Sequence, residues 1–327
     1  YEIGWCDWSS DVCSSDLAYM QASKRFDFDN LWRTSVKVQA GLRATFDDYS
    51  SDVLYNPRIR LLCKPKQDKN ISISAAAGVY YQPPQFKELL DESGVFYSNV
   101  QAQKSIQYVL GYTQGLYMWG RPFVFQSEVY YKQLQQVIPY LLQNVSTVYY
   151  PQLQAQGYAT GIETKLNGEF VKGVESWVSV SCMKSMEWLQ DSLSDIIRRP
   201  NDQRVNFSMF FQDYVPGSEN IKMSLTYMFG SRIPTAQPHV AYNQFDDYTI
   251  SPYSRVDLGF LVILTGRKPQ PSQRVIKNMW LGAEVFNLFD NPNKISYFWV
   301  EDVNGKFYGV PNYLTSRRLN VKLSIQL

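Results

Sequence analysis

The feature that most constrains this chain is a period of two in its hydropathy. Between Val36 and Phe46 the even positions are Val36, Val38, Ala40, Leu42, Ala44 and Phe46, and the odd positions between them are Lys37, Gln39, Gly41, Arg43 and Thr45. Side chains alternate across a strand, so such a segment has one oily face and one wet face, and a 3.6-residue helical period does not fit it. The pattern recurs in Ile221, Met223, Leu225, Tyr227 and Phe229 against Lys222, Ser224 and Thr226. It recurs again in Leu319, Val321, Leu323, Ile325 and Leu327 against Arg318, Asn320, Lys322, Ser324 and Gln326. About thirteen such strands are predicted by the alternation, near Ala18 to Phe28, Thr34 to Phe46, Leu54 to Lys64, Ile71 to Tyr81, Ser105 to Tyr117, Phe123 to Leu134, Gln156 to Leu166, Ser176 to Met186, Gln203 to Gln212, Ile221 to Phe229, Ser254 to Leu264, Met279 to Leu288 and Arg317 to Leu327. Each is close to the roughly 9–11 residues that a tilted strand needs to cross a bilayer.

The expected fold is therefore all-β, an antiparallel transmembrane β-barrel. Phe, Trp and Tyr make up 15% of the residues, with 24 Tyr, as in barrels that carry aromatic girdles at both interfaces. A mean hydropathy of -0.31 agrees, because a barrel strand shows only alternate residues to lipid. A soluble sandwich or propeller would not turn so many apolar faces outward, and no blade-length repeat appears. The net charge of +2, with no basic stripe, predicts no nucleic-acid partner. Cys6, Cys13, Cys63 and Cys182 form no metal or disulfide pattern, and Cys63 and Cys182 fall at apolar-parity positions. The only histidine is His239, so no His-based triad or metal site is expected, no cofactor is implied, and catalysis is not expected.

Connections alternate in length. Asp29 to Arg33, Pro65 to Asn70, Met118 to Pro122, Asn167 to Glu175 and Asp213 to Asn220 are short and hold turn formers such as Asn167-Gly168 and Pro216-Gly217. Gln82 to Lys104, Ile138 to Ala155, Glu187 to Asp202, Gly230 to Tyr253 and Phe289 to Ser316 are long. Outer-membrane barrels have short periplasmic turns and long external loops, which places the C-terminus in the periplasm. Asn304-Gly305 fits a hairpin tip within the last loop. The chain begins at Tyr1 with no secretory signal, so truncation at the N-terminus is expected. Residues 1–17 match neither the alternation nor the composition of the rest and are expected to be non-native or disordered, leaving 18–327 as the barrel portion. An odd number of strands fits the C-terminal part of a larger, even-stranded barrel.

Several segments carry a resemblance. Tyr80-Tyr81-Gln82-Pro83-Pro84-Gln85-Phe86-Lys87-Glu88-Leu89-Leu90 resembles an aromatic-x-x-Pro-x-Phe-x-Glu-Leu stretch, and Asn99 to Tyr112 resembles Asn-Leu-x-x-Glu-x-Ser-x-x-x-Glu-x-Gly-Tyr, with Gln103 and Val109 in place of the acidic residues. Gly161-Ile162-Glu163, Arg255-Val256-Asp257-Leu258, Glu284-Val285-Phe286-Asn287-Leu288-Phe289-Asp290 and Arg317-Arg318-Leu319-Asn320 follow in order. Together these resemble the barrel of TonB-dependent outer-membrane receptors of the Bacteroidota type. The resemblance implies a 22-stranded barrel closed by its own N-terminal plug, which is absent here. It further implies a bacterial outer-membrane location, energy supplied by the TonB complex through the missing N-terminus, contact with outer-membrane lipid and lipopolysaccharide, and a surface lipoprotein as a further partner. Leu327 departs from the aromatic residue that usually ends the family.

Polar parity sends Arg43, Glu128, Glu163, Arg204, Arg255, Asp257, Glu284, Arg318 and Lys322 to the lumen, where they face the plug or a transport path, or pair across strands. Charge on the lipid face would cost about 2–4 kcal/mol at the midplane. In the long loops, Arg198, Arg199, Arg232, His239, Tyr242 and Tyr248 are the candidate ligand contacts, since guanidinium forks suit anions and Tyr stacks on a sugar. Tyr117, Trp119, Tyr130, Tyr131 and Trp280 are expected in the interface girdle. The function expected is ligand binding and TonB-dependent import of a siderophore, oligosaccharide, peptide or cobalamin-type substrate. A passive porin or adhesin-like barrel and an outer-membrane enzyme remain open beside it.

Overall fold

The computed structural model describes residues 2–5, 15–28, 34–47, 52–65, 70–143, 146–189, 196–218, 220–235, 248–265 and 278–326. The strands are β1 (Glu2–Trp5), β2 (Ser15–Phe28), β3 (Thr34–Asp47), β4 (Asp52–Pro65), β5 (Ile71–Gln82), β6 (Gln103–Met118), β7 (Arg121–Val137), β8 (Tyr140–Gln143), β9 (Ser146–Tyr149), β10 (Ala155–Val171) and β11 (Val174–Leu189). They continue as β12 (Ile197–Arg198), β13 (Val205–Tyr214), β14 (Ile221–Gly230), β15 (Ile233–Thr235), β16 (Tyr248–Ile250), β17 (Tyr253–Ile263), β18 (Asn278–Phe286), β19 (Lys294–Glu301), β20 (Phe307–Tyr313) and β21 (Arg318–Gln326). One antiparallel sheet runs β1-β2-β3-β4-β5-β6-β7-β10-β11-β13-β14-β17-β18-β21, and its two ends do not pair with each other among the described residues. All thirteen expected strands are present, several of them longer than the alternation predicted. Three hairpins, β8-β9, β15-β16 and β19-β20, stand in the long loops outside this sheet.

Register fixes the two faces. One lateral row reads Val38, Leu61, Ala75, Leu110, Val129, Ile162, Cys182 and Val205, each opposite the next. A row on the other face reads Ser74, Gly111, Glu128, Glu163, Ser181, Asn206 and Gly230. The apolar face is bare: Leu110 is 56% exposed, Val321 62% and Leu323 56%. A water-soluble sheet would cover such a band, whereas a lipid-facing one leaves it open. Lysines on that face lie beside aromatic rings, Lys24 Nζ 5.3 Å from the Phe26 ring and Lys184 Nζ 5.9 Å from that of Tyr158, the cation–aromatic pairing of an interface.

Turn chemistry closes one end of the sheet. Met118 and Arg121 flank a two-residue turn in which Trp119 and Gly120 both have positive φ, 53° and 71°, a type I′ arrangement. Pro216-Gly217 forms the expected turn, with Gly217 at φ 83° and Ser218 N–H donating to the Val215 carbonyl at 2.9 Å. Asn167-Gly168 is not a turn: β10 runs through it to Val171, and the reversal lies at Lys172-Gly173. Gly168 serves close approach instead, since a Cβ there would lie 2.5 Å from the Phe123 ring.

Two further expectations change. Ser15 to Leu17 lie inside β2, opposite Asp47 to Thr45, and Glu2 to Trp5 pair with Gln21 to Ala18, so part of the excluded segment joins the sheet. Ladder hydrogen bonds come from backbone groups and do not require side-chain alternation. Of the girdle residues, Tyr131 lies on the lipid face and stacks on Tyr158 at 6.3 Å, while Tyr130 and Trp280 share the polar face, opposite Gly161 and Ser324. Trp119 and Tyr117, at the turn, are 73% and 79% exposed.

Candidate functional site

The polar face is the wall that a barrel turns to its lumen, and by register eight of the nine residues assigned by parity lie on it in strands. Arg43 lies opposite Asn56, Glu163 opposite Glu128, Asp257 opposite Thr226, Glu284 opposite Gly259 and Asn320, Lys322 opposite Gly282, and Arg318 opposite Phe286. Arg204 precedes β13, two residues before Asn206, the partner of Ser181, and its side chain is bound to Asp202. Charge on this wall is mixed along the strands, β10 carrying Glu163 beside Lys165 and β17 carrying Arg255 beside Asp257. β3 and β4 contribute Lys37, Arg43, Arg58, Arg60 and Lys64, and Arg58 donates to the Gln21 side-chain oxygen at 3.3 Å beside a 340 Å³ recess that Arg60, Gln39 and Tyr80 also line. Glu128 and Glu163 form a like-charged pair on β7 and β10, an arrangement that costs stability unless a cation or water serves it.

Elsewhere on the wall, the charges serve the fold. Asp257, buried in β17, accepts from Arg255 Nε at 2.7 Å and from the Asn287 backbone N–H at 2.8 Å. Asn287, held at φ 52°, donates through Nδ2 to the Asn291 carbonyl at 3.0 Å and accepts the Asn291 N–H at 3.1 Å. Asn293 Nδ2 reaches the Ser254 carbonyl at 2.9 Å, and Asp290 accepts the Arg317 N–H at 2.7 Å. The Arg255–Asp257 and Glu284–Asp290 segments singled out in the sequence thus stitch β17, β18 and β21 together where the last long loop leaves the sheet.

The loop end carries a built cap. Leu141 of β8 and Ile197 of β12 are buried together, with Tyr150 and Leu189 packed against them. Under them lie two fully buried carboxylates, Glu187 and Asp202. Asp202 accepts from Arg198 Nε at 2.7 Å, from Arg204 Nε at 2.6 Å and from the Ser185 N–H at 2.7 Å. Arg199 Nε lies 3.2 Å from Glu187, and its guanidinium stands 5.9 Å from the Tyr140 ring. Burial pushes the Tyr140 phenol pKa up, against the lowering effect of Arg199. Arg198 and Arg199 are therefore each engaged by a buried carboxylate. Asp202 and Glu187 escaped sequence reasoning, although the run Arg198-Arg199-Pro200-Asn201-Asp202-Gln203-Arg204 packs an acid among three cations, a signal of internal pairing.

Of the remaining loop candidates, Arg232 is exposed at the foot of β15. The Tyr248 backbone lies in β16 opposite Thr235, and His239 and Tyr242 fall outside the described residues. Two cavities open among the loops. One of 380 Å³ lies between the loop ends of β13, β14 and β17 and the feet of the β15-β16 and β19-β20 hairpins, lined by Phe207, Met228, Ile233, Ile250, Tyr253 and Ile295 among others. The other, of 660 Å³, lies between residues 96–100 and 151–154. Among the described residues no cluster of His, Cys, Asp and Glu could hold a metal ion.

The family profile described as TonB dependent receptor-like, beta-barrel matches residues 6–288. Among solved structures, the ferric-catecholate import receptor Fiu of Escherichia coli superposes with a TM-score of 0.60 at 13% identity, covering 94% of this chain and 44% of that one. A ferric enterobactin receptor from Pseudomonas aeruginosa in complex with enterobactin gives 0.61 at 15% identity, covering 94% and 45%, and the copper transporter OprC gives 0.58 at 13%, covering 95% and 47%. No curated protein sequence matches. The chain spans under half the length of each of these three structures. With the two-faced register and the profile match over most of its length, the chain belongs to the TonB-dependent receptor family, in the region of its β-barrel.

Proposed function

We propose that this protein binds a ligand at its loop end and imports it across the outer membrane on energy supplied through TonB, without catalysis of its own. The observation that carries this reading is the ordered cap: buried ion pairs and a small apolar core fix long loops above a polar lumen wall, which a plain pore does not need. The names of the structural neighbours, a ferric-catecholate import receptor and a ferric enterobactin receptor among them, support the same direction. In this reading the long loops face outward and the short turns face the periplasm. A plug belongs to the whole protein and meets the lumen face, lipopolysaccharide surrounds the loop end, and a surface lipoprotein is a further partner. Residues 18–327 form the body of the barrel portion, to which Ser15–Leu17 and Glu2–Trp5 add backbone pairing. Arg232, His239, Tyr242 and Tyr248 contact ligand, while Arg198 and Arg199 act on capture by holding the cap. The test is solute uptake by cells with and without TonB. Loss of uptake without TonB supports import, and undiminished entry overturns it in favour of a passive pore.

A further inference from the structure

The 660 Å³ loop cavity differs from the lumen wall in its chemistry. Phe96, Tyr97, Asn99, Pro151, Gln152 and Gln154 are among the residues that line it, and none of its lining residues carries a carboxylate, ammonium or guanidinium. Asn99, Gln152 and Gln154 are exposed and make no side-chain hydrogen bond within the protein among the described residues. The one phenol, Tyr97, donates to Asp91 Oδ2 at 3.2 Å, and its pKa is raised, first by burial and then by that bond, so it stays neutral.

The walls are fixed before any ligand arrives. Asp91 Oδ1 accepts the N–H groups of Ser93 and Val95, both at 2.9 Å, and Leu90 bridges to Phe96. Tyr97 N–H donates to the Leu89 carbonyl at 2.9 Å, and Leu89 is buried. Across the cavity, Tyr150 N–H donates to Pro139 at 2.9 Å and Leu153 N–H to Tyr150 at 3.0 Å. Phe86 backs Phe96 at 5.8 Å and leaves the Phe96 ring 44% exposed.

We propose that this cavity binds a neutral, polyhydroxylated ligand, an oligosaccharide, as the cargo of the import reading on which this proposal rests. Each amide offers two donors and an acceptor, the complement of a hydroxyl that both gives and takes a hydrogen bond. An exposed aromatic face suits the C–H face of a pyranose. A charged ligand would lose hydration here and find no counter-charge among the lining side chains. The volume falls within the ~300–1,000 Å³ usual for small-molecule sites, and fixed walls lower the ordering cost of binding.

The test uses the purified full-length receptor on an array of neutral and acidic glycans, with ferric citrate as a charged comparator and calorimetry on the best binder. The wild type should retain neutral glycans. The triple variant Asn99→Ala, Gln152→Ala, Gln154→Ala should weaken them at least tenfold with its thermal midpoint unchanged, because those three side chains are exposed, and Phe96→Ala should weaken them similarly. Binding confined to acidic glycans or ferric citrate overturns the proposal, as does the absence of glycan binding or equal retention by the triple variant. Glycan binding without TonB-dependent uptake would leave the site standing and remove the import reading. Uptake of ferric citrate without glycan binding would do the reverse.

Discussion

Asp202 concentrates much of the described loop-end architecture, because one carboxylate, fully buried, holds two guanidinium groups and a backbone N–H. Asp202→Asn should cost about 2–3 kcal/mol, below the ~3–5 kcal/mol for breaking a fully buried pair, because Arg204 is partly in water. The readout is hydrogen exchange at the Ser185 amide, which should speed up by roughly a hundredfold if local opening follows that loss. Asp302 gives a pH-dependent counterpart. Its carboxylate accepts the N–H groups of Asn304 at 2.8 Å and Lys306 at 3.0 Å, and these bonds, Lys306 first, lower its pKa. A depressed carboxylate adds order that is present above the ordinary Asp pKa of ~3.9 and lost as pH falls through the lower folded value. Protection of the Asn304 and Lys306 amides should therefore persist below that ordinary value and vanish only in stronger acid, and Asp302→Ala should abolish it at every pH. Little of this is legible in the sequence: Arg198 and Arg199 look like loop cations free for a ligand until the fold sets buried Asp202 against Arg198 and buried Glu187 against Arg199.

Strands were the legible elements, because lipid on one side and water on the other impose alternation directly on the residue order. Val38 and Leu323 on the lipid face, and Gln39 and Lys322 on the lumen face, follow their neighbours in register. Cysteine at the first pair should label with a lipid-soluble reagent and at the second with a water-soluble one, and reversed labelling would contradict the register. Turns were legible where a special backbone state was needed, as at Pro216-Gly217, and misleading where glycine served packing, as at Gly168. Gly168→Ala places a methyl group 2.5 Å from the Phe123 ring and 2.6 Å from the Pro122 carbonyl, and should cost about 1–3 kcal/mol by thermal melting in detergent. Asn304-Gly305 rightly marked a hairpin, although its tip is the five-residue segment 302–306 between Glu301 and Phe307. The β8-β9 hairpin carried no comparable signal, since its stability comes from burying Leu141 against Ile197, a contact far apart in sequence.

Sidedness belongs to the whole molecule. Epitope insertions near Ser192, Gln244 or Asn304 should be reached by antibody on intact cells, and one near Gly217 only after the outer membrane is permeabilised. Deleting the 230–253 connection in the full-length receptor should weaken uptake of its native solute while the barrel still inserts, because β14 and β17 keep their mutual ladder. Unchanged uptake would remove Arg232, Tyr242 and Tyr248 from the ligand.

The bare apolar band has a consequence for what stability means in this protein. A sheet with Leu110, Val321 and Leu323 on one side and Glu128, Glu163 and Lys322 on the other is dissolved in two liquids at once, and neither liquid alone can hold it. Its melting temperature is thus shared between the polypeptide and the amphiphile around it, rising and falling with acyl length as the hydrocarbon slab matches or misses the height of the band.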